Sequence, residues 1–185
     1  MDGIARCAWC MKDQLYKDYH DKEWGVPSHD DRHLFEKLIL ETFQAGLSWY
    51  TILKKRENFR EALDGFDALK MSKYNDFKVD ELMQNAGIIR YRAKILAAIN
   101  NAQRFLEAQK EFGTFDRFIW QFTDYKIIVN SLESGKDFKV TTKESDAMCK
   151  ELKKRGFKFV GSTTCYAYMQ GVGMVNDHMN NCWKK

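Results

Sequence analysis

Apolar residues recur along this chain at intervals of three and four, and nowhere do they alternate with polar ones for the length of a strand. Leu34, Phe35, Leu38, Ile39 and Phe43 form one stripe, which Ser28 or Asp30 can cap and Gly46 can end. Trp49, Ile52, Leu53 and Leu63 mark a second helix after Ser48, with Lys54, Lys55 and Arg56 on its outer side as a solvated face. A short helix holding Leu82 and Met83 reaches Asn85-Ala86-Gly87, and a long one follows with Tyr91, Ile95, Ile99, Ala102 and Leu106 inward. Phe115, Phe118, Ile119 and Phe122 predict another. Met148 and Leu152 face inward on a helix that stops at Gly156, with Lys153, Lys154 and Arg155 in its last turn, where cations suit the helix dipole. A last helix runs from about Thr163 to Gly171 or Gly173, whereas residues 124–142 lack a pattern and predict a loop. The expectation is an all-α chain.

At 185 residues, 44% of them hydrophobic, the chain suits one domain or two small lobes sharing a core. No apolar run approaches a membrane span, and the N-terminus lacks the apolar core of a secretory signal. Five cysteines, an odd number, argue against a disulfide framework and for the reducing cytoplasm. A net charge of +4 is compatible with a polyanionic partner without demanding one.

Cys7-x12-His20 near one end and His178-x3-Cys182 near the other supply the thiolates and imidazoles that tetrahedral zinc prefers. Four such ligands leave no open position, which favours a structural clasp over a catalytic metal. His178 and Cys182, four apart, fall on one side of a helical turn. The competing reading is a set of buried thiols and hydrogen-bonded histidines, and Cys7-x2-Cys10 offers a zinc knuckle or redox pair of its own.

Glu41 sits on the margin of the first apolar stripe, about 20° around the helix from Leu34. There a carboxylate either snorkels to solvent or faces a pocket. Trp9, Tyr16, Tyr19, Trp24, Phe43, Trp49 and Tyr50 are either a ring-rich core or a slot for a flat ligand whose edge Glu41 could bind. Asn85 to Lys94 read as a helix-hairpin-helix: Gly87 makes the turn, and Arg90, Arg92 and Lys94 open the second helix, where backbone N–H groups and basic side chains can hold a phosphate.

With those residues in place, the chain resembles the 3-methyladenine DNA glycosylase I family from about Cys7 to Cys182. The likeness is carried by Tyr19-His20-Asp21-Lys22-Glu23-Trp24-Gly25-Val26-Pro27, Gln44-Ala45-Gly46-Leu47-Ser48-Trp49, Lys54-Lys55-Arg56-Glu57-Asn58, Asn85 to Ile95, Lys153 to Phe159, and Val175-Asn176-Asp177-His178. It implies a helix-hairpin-helix glycosylase fold, a single domain over 1–185 of two closely packed helical lobes with a base pocket between them. It also implies one structural zinc on Cys7, His20, His178 and Cys182, with Cys10 a second thiol beside that loop. By motif, Glu41 recognises the damaged base, Tyr16, Tyr19 and Trp49 line its pocket, and Trp24 is a neighbour.

The activity implied is base excision: a monomer acting on double-stranded DNA with alkylated purines, releasing free 3-methyladenine. The target base must leave the duplex first. N3-alkylation makes it a cation and a ready leaving group, which an aromatic slot favours by about 0.5–2 kcal/mol per contact. The family lacks the catalytic aspartate of related hairpin glycosylases, so Glu41 is assigned to recognition first and general-base work second. Gly46 and Leu47 are candidates for the wedge that fills the vacated stack; the alternative for Leu47 is inward packing. Two other classes compete: a zinc-stapled DNA-binding module without catalysis, which would release no base, and a zinc hydrolase, which would need an open metal position.

Overall fold

The computed structural model describes residues 3–185. In chain order its helices are α1 (Gln14–Lys22), α2 (Asp31–Gln44), α3 (Trp49–Ala62), α4 (Ala68–Met71), α5 (Asp76–Gln84), α6 (Arg92–Phe112), α7 (Phe115–Trp120), α8 (Lys143–Lys154) and α9 (Ser162–Gly171). Two-residue strands β1 (Ile128–Val129) and β2 (Val175–Asn176) pair in parallel, Ile128 opposite Val175. The fold is all-α apart from this contact. Helix starts follow side-chain chemistry: Asp30 accepts from the His33 N–H, Ser48 from Thr51, Asn75 from Lys78 and Thr142 from Ser145.

α2 is the central element and packs against α3, α6, α7 and α9. Every residue from Leu34 to Phe43 is buried, so the helix has no solvent face. That differs from an amphipathic stripe, and it changes the environment of each polar residue on it. Two close approaches require glycine. Gly173 has φ +75°, and a Cβ there would lie 2.2 Å from the Val26 carbonyl carbon. Gly25 has φ +73°, and a Cβ would lie 2.8 Å from His178 Cε1.

Several expectations are corrected. α1 is an additional helix, formed where the chain N-terminal to Pro27 has no apolar stripe that stands out from its aromatics. Tyr91 caps α6 instead of packing inward, and it is 52% exposed. The patternless stretch 124–142 holds β1 and a helical turn at Gly135–Asp137. His178 and Cys182 lie on an irregular turn closed by the Cys182 N–H on the Met179 carbonyl, not on a helix. Lys55 and Arg56 are not simply solvated: Lys55 Nζ donates to the Ala86 and Gly87 carbonyls at 3.0 Å, and Arg56 Nη1 pairs with Glu23 at 2.5 Å. No helix among the described residues is long and apolar enough to cross a membrane.

Candidate base pocket, metal group and DNA-facing turns

α1, the C-terminal half of α2, the start of α3 and α9 surround a cavity of about 460 Å³. Tyr16, Tyr19, Trp24, Glu41 and Trp49 all line it, as do Trp9, Gln44, Phe138, Gln170 and Met179. Trp9 packs edge-on against Tyr16 and Trp24, with centroids 4.9 Å away in both cases, and Tyr19 tilts against Trp49 at 5.3 Å. The rings are walls of one slot.

Glu41 stands in that slot because α2 is buried all round. Its side chain makes no hydrogen bond among the described residues, although it is only 4% exposed. Burial pushes its carboxyl well above the usual range, and the ammonium of Lys37, one helical turn earlier, draws it back. The Trp49 indole N–H is likewise buried without a partner. A carboxyl that lines the cavity without a protein partner, beside a buried indole N–H left unsatisfied, is what a polar ligand would complete. Gly171 of α9 sits close by: a Cβ there would come to ordinary contact distance, 3.7 Å from the Tyr19 hydroxyl and 3.8 Å from Glu41 Oε1.

Behind the slot, Cys7, His20 and Cys182 place one ligand atom each within 4.8 Å of one another, and all are buried. Cys182 Sγ is 3.4 Å from His20 Nε2. His178 adjoins this group: its ring centroid is 4.9 Å from that of His20, and its Nε2 is buried with no partner. Both imidazoles are oriented through Nδ1, His20 by Asp21 at 2.7 Å and His178 by Asn176 at 2.9 Å, which turns the Nε2 of His20 to Cys182 Sγ and leaves that of His178 without a partner among the described residues. Burial works against the Asp21 anion, but hydrogen bonds from Arg6, His20 and Trp183 hold it down to about 2. Burial lowers His178 to about 4, so its ring is neutral, as a metal ligand must be. Cys7 is pushed up to about 12 by burial and the neighbouring Cys182 thiol, a crowding that a cation would reverse. The donor set fits a soft, tetrahedral cation. Cys10 turns away, its thiol donating to the Cys7 carbonyl at 3.1 Å.

The α5–α6 hairpin and the α2–α3 turn bear the remaining residues. At the hairpin, Gly87 N–H donates to Asn85 Oδ1 at 2.8 Å and its carbonyl is held by Lys55 and Asn58 from α3. Arg90 is exposed and makes no ion pair among the described residues. Arg92 is exposed but pairs with Asp80 at 2.5 Å. Lys94 contradicts the expectation of a phosphate-binding side chain. It is 5% exposed, and its ammonium donates to the Phe43 and Ala45 carbonyls at 2.7 and 2.6 Å, capping the end of α2. At the turn after α2, Gly46 has φ +82° with open space around it, and Leu47 is 41% exposed, so inward packing is ruled out.

Residues 9–185 match the family model described as methyladenine glycosylase. The chain is 50% identical over 178 residues to the DNA-3-methyladenine glycosylase of Haemophilus influenzae, covering 96% of each. It is 48% identical to DNA-3-methyladenine glycosylase 1 of Escherichia coli, over 97% of this chain and 96% of that one. A crystal structure of 3-methyladenine DNA glycosylase I, 47% identical, superposes with a TM-score of 0.94 over 97% of this chain and 98% of the other. Another 3-methyladenine DNA glycosylase I, solved in complex with 3-methyladenine, superposes with a TM-score of 0.94 at 34% identity over 97% of both chains.

Proposed function

This chain belongs to the methyladenine glycosylase family, and from that premise we propose how its pocket works. The protein is a monofunctional DNA-3-methyladenine glycosylase of base-excision repair. It hydrolyses the N-glycosidic bond of 3-methyladenine in alkylated DNA, releasing the free base and leaving an abasic site. The observation that carries the mechanism is a buried carboxylate, without a hydrogen-bond partner, in a slot walled by aromatic rings.

In our reading the flipped base enters between Tyr16, Tyr19, Trp24, Trp49 and Trp9, which stack on a flat cation. Glu41 accepts a hydrogen bond from its exocyclic amine and adds charge attraction where little water screens it. The N3-alkylated base is already a good leaving group, so the pocket's work is to select it and stabilise its departure. Water then attacks the oxocarbenium sugar. Leu47, on its open glycine turn, fills the vacated stack, while Gly87, Arg90 and Arg92 hold the duplex backbone.

We further propose that Cys7, His20, His178 and Cys182 hold one zinc. These four side chains would tie the N-terminal segment to the C-terminal turn through the ion, and four protein ligands would leave no open position for substrate. By this reading the chain is one glycosylase unit with the base pocket between two packed lobes, acting as a monomer on duplex DNA. Its unpaired cysteines suit a reducing compartment such as the cytoplasm.

Glu41→Gln tests the mechanism. It preserves volume and removes the charge, so single-turnover excision should fall, and free 3-methyladenine should bind more weakly, without loss of fold. A folded Glu41→Gln protein excising at the wild-type rate would reduce Glu41 to a buried bystander.

A further inference from the structure

Lys37 lies one helical turn before Glu41, where α2 has no solvent face, and its side chain is fully buried. Its ammonium makes no hydrogen bond among the described residues. The nearest charge is Glu23 at 3.6 Å, a carboxylate already held by Arg56 at 2.5 Å. What surrounds it instead is the back of the base slot. Nζ is 4.4 Å from the centroid of Tyr19 and 4.8 Å from that of Trp49. A Cβ on Gly171 would lie 3.8 Å from Glu41 Oε1 and 4.0 Å from Lys37 Cδ, so the two side chains border the same small space. A buried ammonium with so few partners is unfavourable for the core alone, and methionine would fill the same volume without that penalty.

We propose that Lys37 is a positioning residue of the base pocket: from behind the rings of Tyr19 and Trp49, its cation sustains the ionised form of Glu41 that meets a cationic base. The proposal rests on the reading of Glu41 as the base-recognising group. The charged and titratable groups facing Lys37 are Tyr19 from α1, Glu23 beyond it, Arg56 from α3, and His33, Glu36 and Glu41 on its own helix. Around Glu41 the balance is simpler. Burial raises its carboxyl and Lys37 alone opposes this, while Tyr19 faces it as a neutral phenol held well above its ordinary range by burial. Removing Lys37 therefore moves Glu41 further toward its neutral form.

The same cation also repels a cationic base, an effect of opposite sign. Distance separates the two: a base stacked on the face of Tyr19 or Trp49 away from Nζ has a ring between itself and the cation, whereas Glu41 follows Lys37 by one turn of the same helix. On the alkaline side burial has already lowered Lys37 to about 8, so its support of Glu41 and its repulsion of the base fade together. Lys37→Met should therefore lose activity toward acid pH and approach wild type toward alkaline pH.

The test is single-turnover release of 3-methyladenine from methylated DNA by the full chain, between about pH 5.5 and 9.5, with spontaneous depurination subtracted. Wild type, Lys37→Met and Glu41→Gln are compared, and the Glu41 carboxyl carbon is titrated by NMR in the first two. We expect the acid limb of Lys37→Met to move to higher pH. Activity at its foot should fall about tenfold for each pH unit the limb moves, and recover on the alkaline side of the moved limb. The carbon titration should move with it. A limb that stays in place, or a loss uniform across pH, overturns the proposal by assigning Lys37 to packing. If Lys37→Met does not fold, Lys37→Gln takes its place, and failure of both makes Lys37 a core requirement and defeats the proposal. A wild-type rate in Glu41→Gln sinks the underlying reading of Glu41; a slow Glu41→Gln beside an unmoved Lys37→Met limb sinks only the role of Lys37.

Discussion

Lys94→Met separates two roles for a basic residue at the α5–α6 hairpin. On the pattern of the chain Lys94 belongs with Arg90 and Arg92 as a phosphate contact; in the fold it caps α2 through the Phe43 and Ala45 carbonyls. Hydrogen bonds to a charged group contribute about 1.5–3 kcal/mol each, so the two bonds are worth ~3–6 kcal/mol gross. Part is offset by the desolvation that lowers the lysine's own pKa, and water can reach the exposed Ala45 carbonyl but not the buried Phe43. A net loss of about 2–4 kcal/mol follows, or a fall in Tm of roughly 5–15 °C for a chain of this size. Methionine keeps the stem's packing, which confines the loss to the ammonium. Thermal unfolding measures this, and a salt titration of duplex binding supplies the contrast. Arg90→Ala should flatten the slope of log K against log salt by about 0.9, while Lys94→Met leaves it unchanged. A Lys94→Met protein that melts like wild type but binds DNA with a flattened slope would refute the capping role.

Other outcomes follow from the same geometry. Cys182→Ser and His178→Ala should each lose bound zinc by elemental analysis and lower Tm, while Cys10→Ala keeps its metal; zinc retention in His178→Ala would remove that residue from the ligand set. Gly173→Ala forces a Cβ to 2.2 Å from backbone at φ +75° and should destabilise by more than about 3 kcal/mol, read by chemical denaturation. Leu47→Ala should slow excision from duplex DNA yet leave free 3-methyladenine binding intact, because Leu47 lies outside the pocket lining; a loss of free-base affinity would contradict its placement as a wedge. Glu41→Gln should be more stable than wild type on the alkaline side and indistinguishable from it in acid. The folded carboxyl keeps its proton above the ordinary 4.5, so stability is present below that value and drains away as pH rises through the elevated folded pKa. Melting curves across pH that stay parallel would contradict this.

The helices from α2 onward, apart from the single turn of α4, are legible in the sequence because their apolar spacing, caps and terminal glycines agree, as at Asp30, Ser48 and Gly156. α1 is not, because Tyr16, Tyr19 and His20 line the pocket and the candidate metal group and form no core stripe. Phe138 is hidden for a related reason. It reaches the slot from residues 124–142, whose course depends on β1 pairing with β2 and on Asn180 meeting Leu132, contacts that no local pattern announces. Glu41 is visible as an oddity, but periodicity alone leaves it between solvent and pocket. Only the burial of α2 on every side decides between them. Lys94 misleads because a basic residue at a helix start has the same appearance whether it faces phosphate or a neighbouring helix's carbonyls.

α2 therefore carries a burden beyond packing. Four of its polar side chains, Glu36, Lys37, Glu41 and Thr42, are buried, and only two of them are hydrogen-bonded among the described residues. Glu36 is gripped by Arg60 at 2.8 Å, and Thr42 donates to the Ile39 carbonyl at 2.7 Å. Of the four, Lys37 and Glu41 make no side-chain hydrogen bond among the described residues; the Lys37 ammonium is enclosed behind the slot, and the Glu41 carboxyl lines it. The helix satisfies its polar groups everywhere except beside the cavity. An unsatisfied buried pair is a standing loss of stability, and it is offset only when a polar ligand arrives. The central helix thus links core and site: the fold is least satisfied at the position where the damaged base would complete it.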